Sequence, residues 1–309
     1  MKPTFKAQPV QVQVPASSAN LGPGFDCLGL ALNMNDRYMA QVMDEPGVDI
    51  DVTGEGAESV PTTDKNLVIK AMHKGFDFLG GRPRGIALRQ LNVIPHGRGL
   101  GSSAAAIVGG LALARALVLG GNERMTQEDM LNMANEMEGH PDNVSAAING
   151  SANLAWQESQ RGHIVAQSLN FEVDPRIGVL AFVPSTELST SKARKMLPES
   201  IPHQDAVKNS SNVAVLVQAL QHRPDLLLGA TEDYLHQAYR KDAMPNSYAL
   251  MTKLRKAGVA AFISGAGPTV LVLHTGGESE AAELERAAGE KFHMISLGIS
   301  RTGVSLVTA

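Results

Sequence analysis

The stretch with the most chemical content is Pro95-His96-Gly97-Arg98-Gly99-Leu100-Gly101-Ser102-Ser103-Ala104-Ala105. Three glycines at alternate positions let a backbone approach a ligand closely and take conformations closed to other residues. An apolar helix follows directly, and the free N–H groups and positive dipole end of a helix N-terminus attract an anion. No Asp or Glu stands in its first turns to occupy that place. Ser102 and Ser103 can cap the helix, or offer hydroxyls to a phosphate or its metal ion. Other phosphate loops fit poorly. A P-loop needs a lysine where Gly101 stands, and the glycines at 97, 99 and 101 miss the dinucleotide fingerprint. The segment from Gly101 to Ala105 lacks the final glycine of a nucleophile elbow, which leaves a hydrolase as a lesser alternative.

Four further clusters carry polar groups of the kinds that orient small substrates. Asn20 and Asp26 stand in a glycine-rich segment, Ala16 to Asp26. Glu138-Gly139-His140-Pro141-Asp142-Asn143 closes a predicted helix. Thr190 and Arg194 form a third group and Tyr239-Arg240 a fourth, and each guanidinium can fork onto a carboxylate. Taken singly, these arginines read as solvated surface groups, and Asp142 and Asn143 as caps of a following helix. The single cysteine, Cys27, cannot form an internal disulfide and reads as a small buried hydrophobe. Nine histidines without HxH or HExxH spacing give no reason to invoke zinc.

The elements that must position these groups are legible in outline. Val10–Val14 alternates apolar and polar, predicting a strand that ends at Pro15. Tyr38–Met43, Val48–Val52, Ile86–Val93 and Ile177–Val183 read as strands, and Val259–Ile263 and Thr269–His274 as two more around a glycine turn. Helical spacing predicts helices over Asn66–Leu79, Ala104–Leu119, Thr126–Glu138, Asp205–Gln221 and Pro224–Arg240. The Ala104 helix is apolar almost all round and should be internal, stopped by Gly120-Gly121. Thr126 is the expected N-cap of its helix, with Glu128 and Asp129 in the first turn. A polar passage at Gln157–Gly162 suggests a boundary between an N-terminal domain, 1–160, and a C-terminal domain, 161–309.

Bulk composition narrows the classes. The 309 residues are 43% hydrophobic and 19% charged, as in a folded globular protein. A net charge of −4 with scattered Lys and Arg excludes the basic stripe of a nucleic-acid binder. No signal peptide is readable near Met1–Gln13, and the run Ala104–Leu119 is too short and glycine-marked to span a bilayer. A soluble cytoplasmic protein without a membrane or nucleic-acid partner is the expectation.

Three segments in order resemble the motifs of the GHMP kinases. Pro95 to Ala104 is similar to their ATP-binding signature. Val14 to Asp26 resembles the first motif in its homoserine form, and Phe262 to Thr269 the third. The resemblance covers nearly the whole chain. It implies an α+β, two-domain GHMP kinase fold, with an N-terminal domain like ribosomal protein S5 and a C-terminal ferredoxin-like α/β sandwich. It also implies ATP and Mg²⁺ as cofactors, L-homoserine as the acceptor, a place in threonine biosynthesis, and a homodimer.

By that analogy Asn20, Asp26, His140, Asp142 and Asn143 contact the amino-alcohol part of the substrate, and Arg194 and Arg240 its carboxylate. Thr190 lies near the transferred phosphoryl group, Asn66 near the adenine, and residues 95–105 around the phosphates. Ser103 and Glu138 hold Mg²⁺, with Ser102 and Glu136 as neighbouring alternatives. Val14 stands where some relatives place the lysine of an Asp–Lys base pair, so Asn20 and Asn143 are read as orienting the hydroxyl without a dedicated base. Mevalonate- or sugar-type kinases and a non-catalytic ligand sensor are the rival readings.

Overall fold

The computed structural model describes residues 2–160, 162–276 and 278–307. Its first half runs β1 (Val10–Asn20), β2 (Gly24–Met43), β3 (Gly47–Gly54), α1 (Leu67–Phe78), β4 (Gly85–Asn92), α2 (Ser102–Leu117), α3 (Gly121–Arg124), α4 (Gln127–Glu138), α5 (Pro141–Asn149), β5 (Ala152–Gln160) and β6 (His163–Phe171). The second half adds β7 (Gly178–Pro184), α6 (Thr190–Arg194), α7 (His203–Gln221), α8 (Leu227–Ala230), α9 (Pro245–Lys256), β8 (Ala260–Ile263), β9 (Val270–His274), α10 (Glu278–Ala288), β10 (Phe292–Leu297) and β11 (Ser305–Leu306). Strands and helices segregate into two sheets, an α+β architecture.

β1 does not stop at Pro15. It continues to Asn20, with its register against β2 shifted between Pro15 and Ala16. A proline donates no ladder hydrogen bond and is tolerated at such irregularities. The turn-forming residues that follow stay extended on the ladder with β2, and distant groups satisfy further polar groups there. Ser17 N–H donates to Leu100 O at 3.0 Å, and Ser18 Oγ accepts from Ser264 Oγ at 2.8 Å. The turn itself is only Leu21–Pro23. β2 is long enough to pair with β4 at its end and β5 at its start, and β3 pairs parallel with β4. The first sheet has the order β11-β1-β2-β4-β3, with β5 on β2 and β6 on β5.

The second sheet has the order β10-β7-β9-β8, the β-α-β-β-α-β arrangement of a ferredoxin-like unit. Along β7, Val179, Ala181 and Val183 belong to the large core cluster that both halves share, while Leu180 and Phe182 belong to a second cluster with Leu250, Leu254 and Ile263. Burial on both faces explains the unbroken apolar run of that strand. The polar passage read as a boundary is the end of the β5–β6 hairpin, where Gln160 pairs with His163. Both of its strands belong to the first sheet, and the chain crosses to the second only after Phe171.

Two predicted helices end differently from expectation. α2 stops at Leu117, because Val118 turns extended and bridges to Phe5; Gly120 instead begins α3. The predicted helix over Pro224–Arg240 is a 3-10 turn at Pro224–Leu226, the single turn α8, and then a loop. The Asp233 carboxylate accepts from the backbone N–H groups of Leu235, His236 and Gln237 at 2.9, 3.1 and 2.7 Å. Asn209 Oδ1 takes that of Tyr234. Side chains that capture backbone donors in this way compete with helix formation. α4 follows its prediction, with Thr126 and Asp129 forming a capping box. α5 is the helix that Asp142 and Asn143 were read as capping, though both lie within its first turn, and α9 was not anticipated. Each carries a proline at its first position.

Candidate active site

One cavity of about 230 Å³ lies where the first glycine turn, the N-termini of α2 and α5, α6, and the β8–β9 turn converge. α2 enters it with Gly101 as N-cap, in the left-handed region (φ 75°) and without any side-chain cap. Ser102 and Ser103 therefore do not cap the helix, and its first N–H groups remain available to a ligand. A Cβ at Gly99 would stand 2.2 Å from Ser264 O, and one at Gly101 2.2 Å from Ser17 Oγ. Only glycine fits these places.

Of the segment 95–105, Gly97, Gly99, Gly101, Ser102 and Ser103 line this cavity. Leu100, Ala104 and Ala105 are in the core, so only their backbone can serve a ligand. Arg98 points away, tying the loop to the carbonyls of Pro184, Ser185 and His96 at 3.1, 3.1 and 2.9 Å. Pro95 lines neither this cavity nor its neighbour. Ser103 Oγ donates to Glu138 Oε1 at 2.7 Å. Burial pushes the Glu138 carboxyl up from its usual range, against the lowering effect of the Ser103 bond. Glu136 lies outside, in an ion pair with Lys74.

Asn20 and Asp26 bracket the first turn, and both are held at positive φ, 71° and 56°. Such conformations cost non-glycine residues about 1–3 kcal/mol and persist where surrounding structure enforces them. Asn20 Nδ2 donates to Gly265 O at 2.9 Å, and its Oδ1 accepts from Asp26 N–H at 3.0 Å. At the start of α5, His140 Nδ1 meets Asp142 Oδ1 at 2.6 Å. Burial lowers the His140 pKa, but its hydrogen bond to Asp142 and the nearby acids outweigh this and leave it raised. Asn143 Oδ1 accepts from Ser17 Oγ at 2.9 Å. Thr190 opens α6 at the cavity rim.

The arginines differ sharply. Arg194 is exposed and forks onto Asp26 at 2.8 and 2.9 Å. Arg240 is 2% exposed, yet its guanidinium meets no carboxylate among the described residues. It donates to Ala193 O and faces His236 Nδ1 and Gly265 O, at 3.2, 3.3 and 3.5 Å. Burial, then the charge of Arg194, lowers its pKa. Both guanidinium carbons lie 5.4 Å from the Phe25 ring centre. Cys27 is half-buried, and its thiol is pushed up to about 11 by burial, ahead of the charges of Asp142 and Asp26.

A second cavity, of about 280 Å³, opens behind Ser102 and Ser103 and is lined by Val60, Pro61, Leu67, His96 and Ala106. Asn66 is in its wall with its polar atoms engaged. Its Oδ1 caps α1, and its Nδ2 donates to Pro61 O and Gln90 Oε1 at 2.9 and 2.7 Å. Asn92, which sequence reasoning passed over, is also in this wall, and its buried Oδ1 has no hydrogen-bond partner. Phe25 and His236 were missed as well. A spacing pattern contains no signal for a group that matters through a contact made hundreds of positions away.

Among the described residues, no helix is long and apolar enough to cross a membrane. Fold and site together define a small-molecule kinase of the GHMP class. The model for the GHMP kinase N-terminal domain matches residues 66–151, and that for the C-terminal domain matches residues 216–293. The chain is 47% identical over 305 residues to a homoserine kinase of Streptomyces coelicolor, covering 99% of this chain and 96% of that one. A homoserine kinase of Streptomyces avermitilis is 46% identical over 305 residues, covering 99% and 98%. The crystal structure of homoserine kinase from Cytophaga hutchinsonii superposes with a TM-score of 0.84 at 26% identity, covering 98% of both chains. The chain belongs to the homoserine kinase family.

Proposed function

We propose that this protein transfers the γ-phosphoryl group of ATP to the side-chain hydroxyl of L-homoserine, giving O-phospho-L-homoserine, a step of threonine biosynthesis. The observation that carries the reading is a single cavity joining an uncapped helix N-terminus in a glycine loop to a buried arginine without a carboxylate partner. The first suits phosphates. The second suits a small carboxylate, because a buried cation without a counter-charge is costly until an anion arrives.

The nucleotide would lie across both cavities, with its base beside Asn66 and Asn92. The partnerless Oδ1 of Asn92 would accept from an exocyclic amino group that reached it. Ser103 and Glu138 offer the hard oxygen donors that suit Mg²⁺, while Glu136 is engaged with Lys74. Bound there, the ion would neutralise charge on the β- and γ-phosphates.

For the acceptor, Arg240 and Arg194 would hold the carboxylate. Asp26 and Asp142 would balance the ammonium, aided by His140. Asn20 and Asn143 would orient the hydroxyl in line with the phosphoryl group, and Thr190 would donate to its oxygens. Phosphoryl transfer asks mainly for positioning and charge neutralisation, so no side chain is required as a base.

An ADP-release assay with MgATP and L-homoserine, mevalonate or galactose tests the reading. Turnover confined to homoserine is expected. Turnover with another alcohol would overturn the substrate, and ATP binding with no turnover would favour a ligand sensor.

A further inference from the structure

His236 is fully buried, 0% exposed, in the loop that replaces the predicted helix. Three contacts account for a buried imidazole, one within its own loop and two with the first glycine turn and the residue that follows it. Its Nε2 lies 2.8 Å from Gly22 O, in the first glycine turn. Its Nδ1 lies 3.3 Å from Arg240 Nη1. Its ring packs against Phe25, with centres 5.2 Å apart.

The carbonyl of Gly22 can only accept, so Nε2 carries the proton and donates. A neutral imidazole then has a bare Nδ1, which can only accept, and the neighbouring guanidinium supplies the donor. Burial holds the His236 pKa below its usual value, in keeping with the neutral form. Asp233 Oδ1 stands 3.5 Å from Nε2, but that carboxylate is engaged with the N–H groups of residues 235–237. A neutral ring can therefore orient Arg240 without neutralising it, leaving its charge for an incoming anion.

We infer that His236 is a positioning residue for substrate selection: it aims the Arg240 guanidinium at the substrate carboxylate and locks that arginine to the turn between Asn20 and Asp26. The two ends of the acceptor site, 214 positions apart from Gly22 to His236, are thereby held in one register. This inference rests on the assignment of Arg240 to the carboxylate.

The test is a steady-state cycle on the full-length protein with His236→Leu, His236→Asn, Arg240→Ala and the double variant His236→Leu/Arg240→Ala. Leucine fills the space without hydrogen bonding, and asparagine restores an acceptor near the position of Nδ1. The expected result is a homoserine KM raised roughly tenfold in His236→Leu, with the ATP KM within about twofold of the parent. His236→Asn should recover part of the loss. The double variant should be no worse than Arg240→Ala alone, because both changes remove one interaction.

Additive losses, or an ATP KM raised as much as that for homoserine, would mean a purely structural histidine and overturn the inference. So would an unchanged homoserine KM in both histidine variants while Arg240→Ala raises it. An Arg240→Ala variant with unchanged homoserine KM would instead sink the carboxylate assignment. Should His236→Leu not fold, His236→Asn and its double variant with Arg240→Ala carry the same comparison.

Discussion

Arg194 and Asp26, 168 positions apart, form a two-pronged ion pair across the mouth of the candidate active site. The guanidinium assigned to a substrate carboxylate is thus held by the carboxylate assigned to a substrate ammonium. The two groups satisfy each other, and the bond to Asp26 raises the Arg194 pKa. A zwitterion presents the same two charges and can exchange partners with both.

Removing either member should therefore impair substrate binding more than folding. The pair is partly exposed, 43% and 34% on the two side chains, so it adds little to stability. Arg194→Ala and Asp26→Asn should each raise the homoserine KM by roughly tenfold to a hundredfold. Thermal unfolding should shift little. A loss of folded protein with an unchanged KM would contradict the assignment.

Glu138 offers a trade between stability and activity. Burial disfavours its charged form, so the ionised carboxylate costs stability at neutral pH. A carboxyl whose folded pKa is raised stabilises the fold below the unfolded value and loses that contribution as pH rises through the folded one. Glu138→Gln should accordingly melt at an equal or higher temperature than the parent at pH near 7, yet lose kcat on the order of 100-fold. Ser103→Ala should lose activity without gaining stability. Calorimetry beside the ADP-release assay decides both.

The glycine loop predicts a steric result. Gly99→Ala would force a Cβ to within 2.2 Å of a backbone carbonyl, and the residue sits at φ 76°. Left-handed backbone costs non-glycine residues about 1–2 kcal/mol before any clash is counted. The variant should lose ATP binding, measured by titration calorimetry, and unfold at lower denaturant concentration. Gly139→Ala is a control of the opposite kind, since it also has positive φ (94°) but nothing within 4 Å of the new Cβ. Its loss should be confined to the backbone term.

Two histidines give opposite pH signs. The folded pKa of His140 is raised, so its contribution to stability is complete below about pH 6.5 and fades as pH rises through the folded value. That of His236 is lowered, so its burial is penalised only as pH falls below about 6.5. Unfolding curves for His140→Gln should lie furthest below the parent at acid pH and converge toward alkaline pH. A gap that widens with rising pH would refute the Asp142–His140 pair as the cause.

Catalysis has its own pH test. If positioning suffices, Asp142→Asn should leave the shape of the pH–rate profile for kcat unchanged while lowering its height. A steep acidic limb in the parent that vanishes in Asp142→Asn would identify that carboxylate as a base.

Features that depend on neighbours in the chain are legible in the order of residues alone. The three glycines ahead of an apolar helix, the Thr126 cap and the alternation at Val10–Val14 each rest on interactions within a few residues, where spacing specifies geometry. Features that depend on distant partners are not. β1 runs on through Ser17 and Ser18 on its ladder with β2, while Leu100 and Ser264 satisfy further polar groups there from other elements. The loop at 231–240 stays open because Asn209 and the Asp233 carboxylate capture its N–H groups. The orphaned acceptor of Asn92, the ion pair of Asp26 with Arg194 and the imidazole wedged between Gly22 and Arg240 likewise have no local signature. The sequence by itself determined which groups could do chemistry. Their pairing was decided by burial, because removal from water obliges each polar group to find a partner wherever the fold brings one.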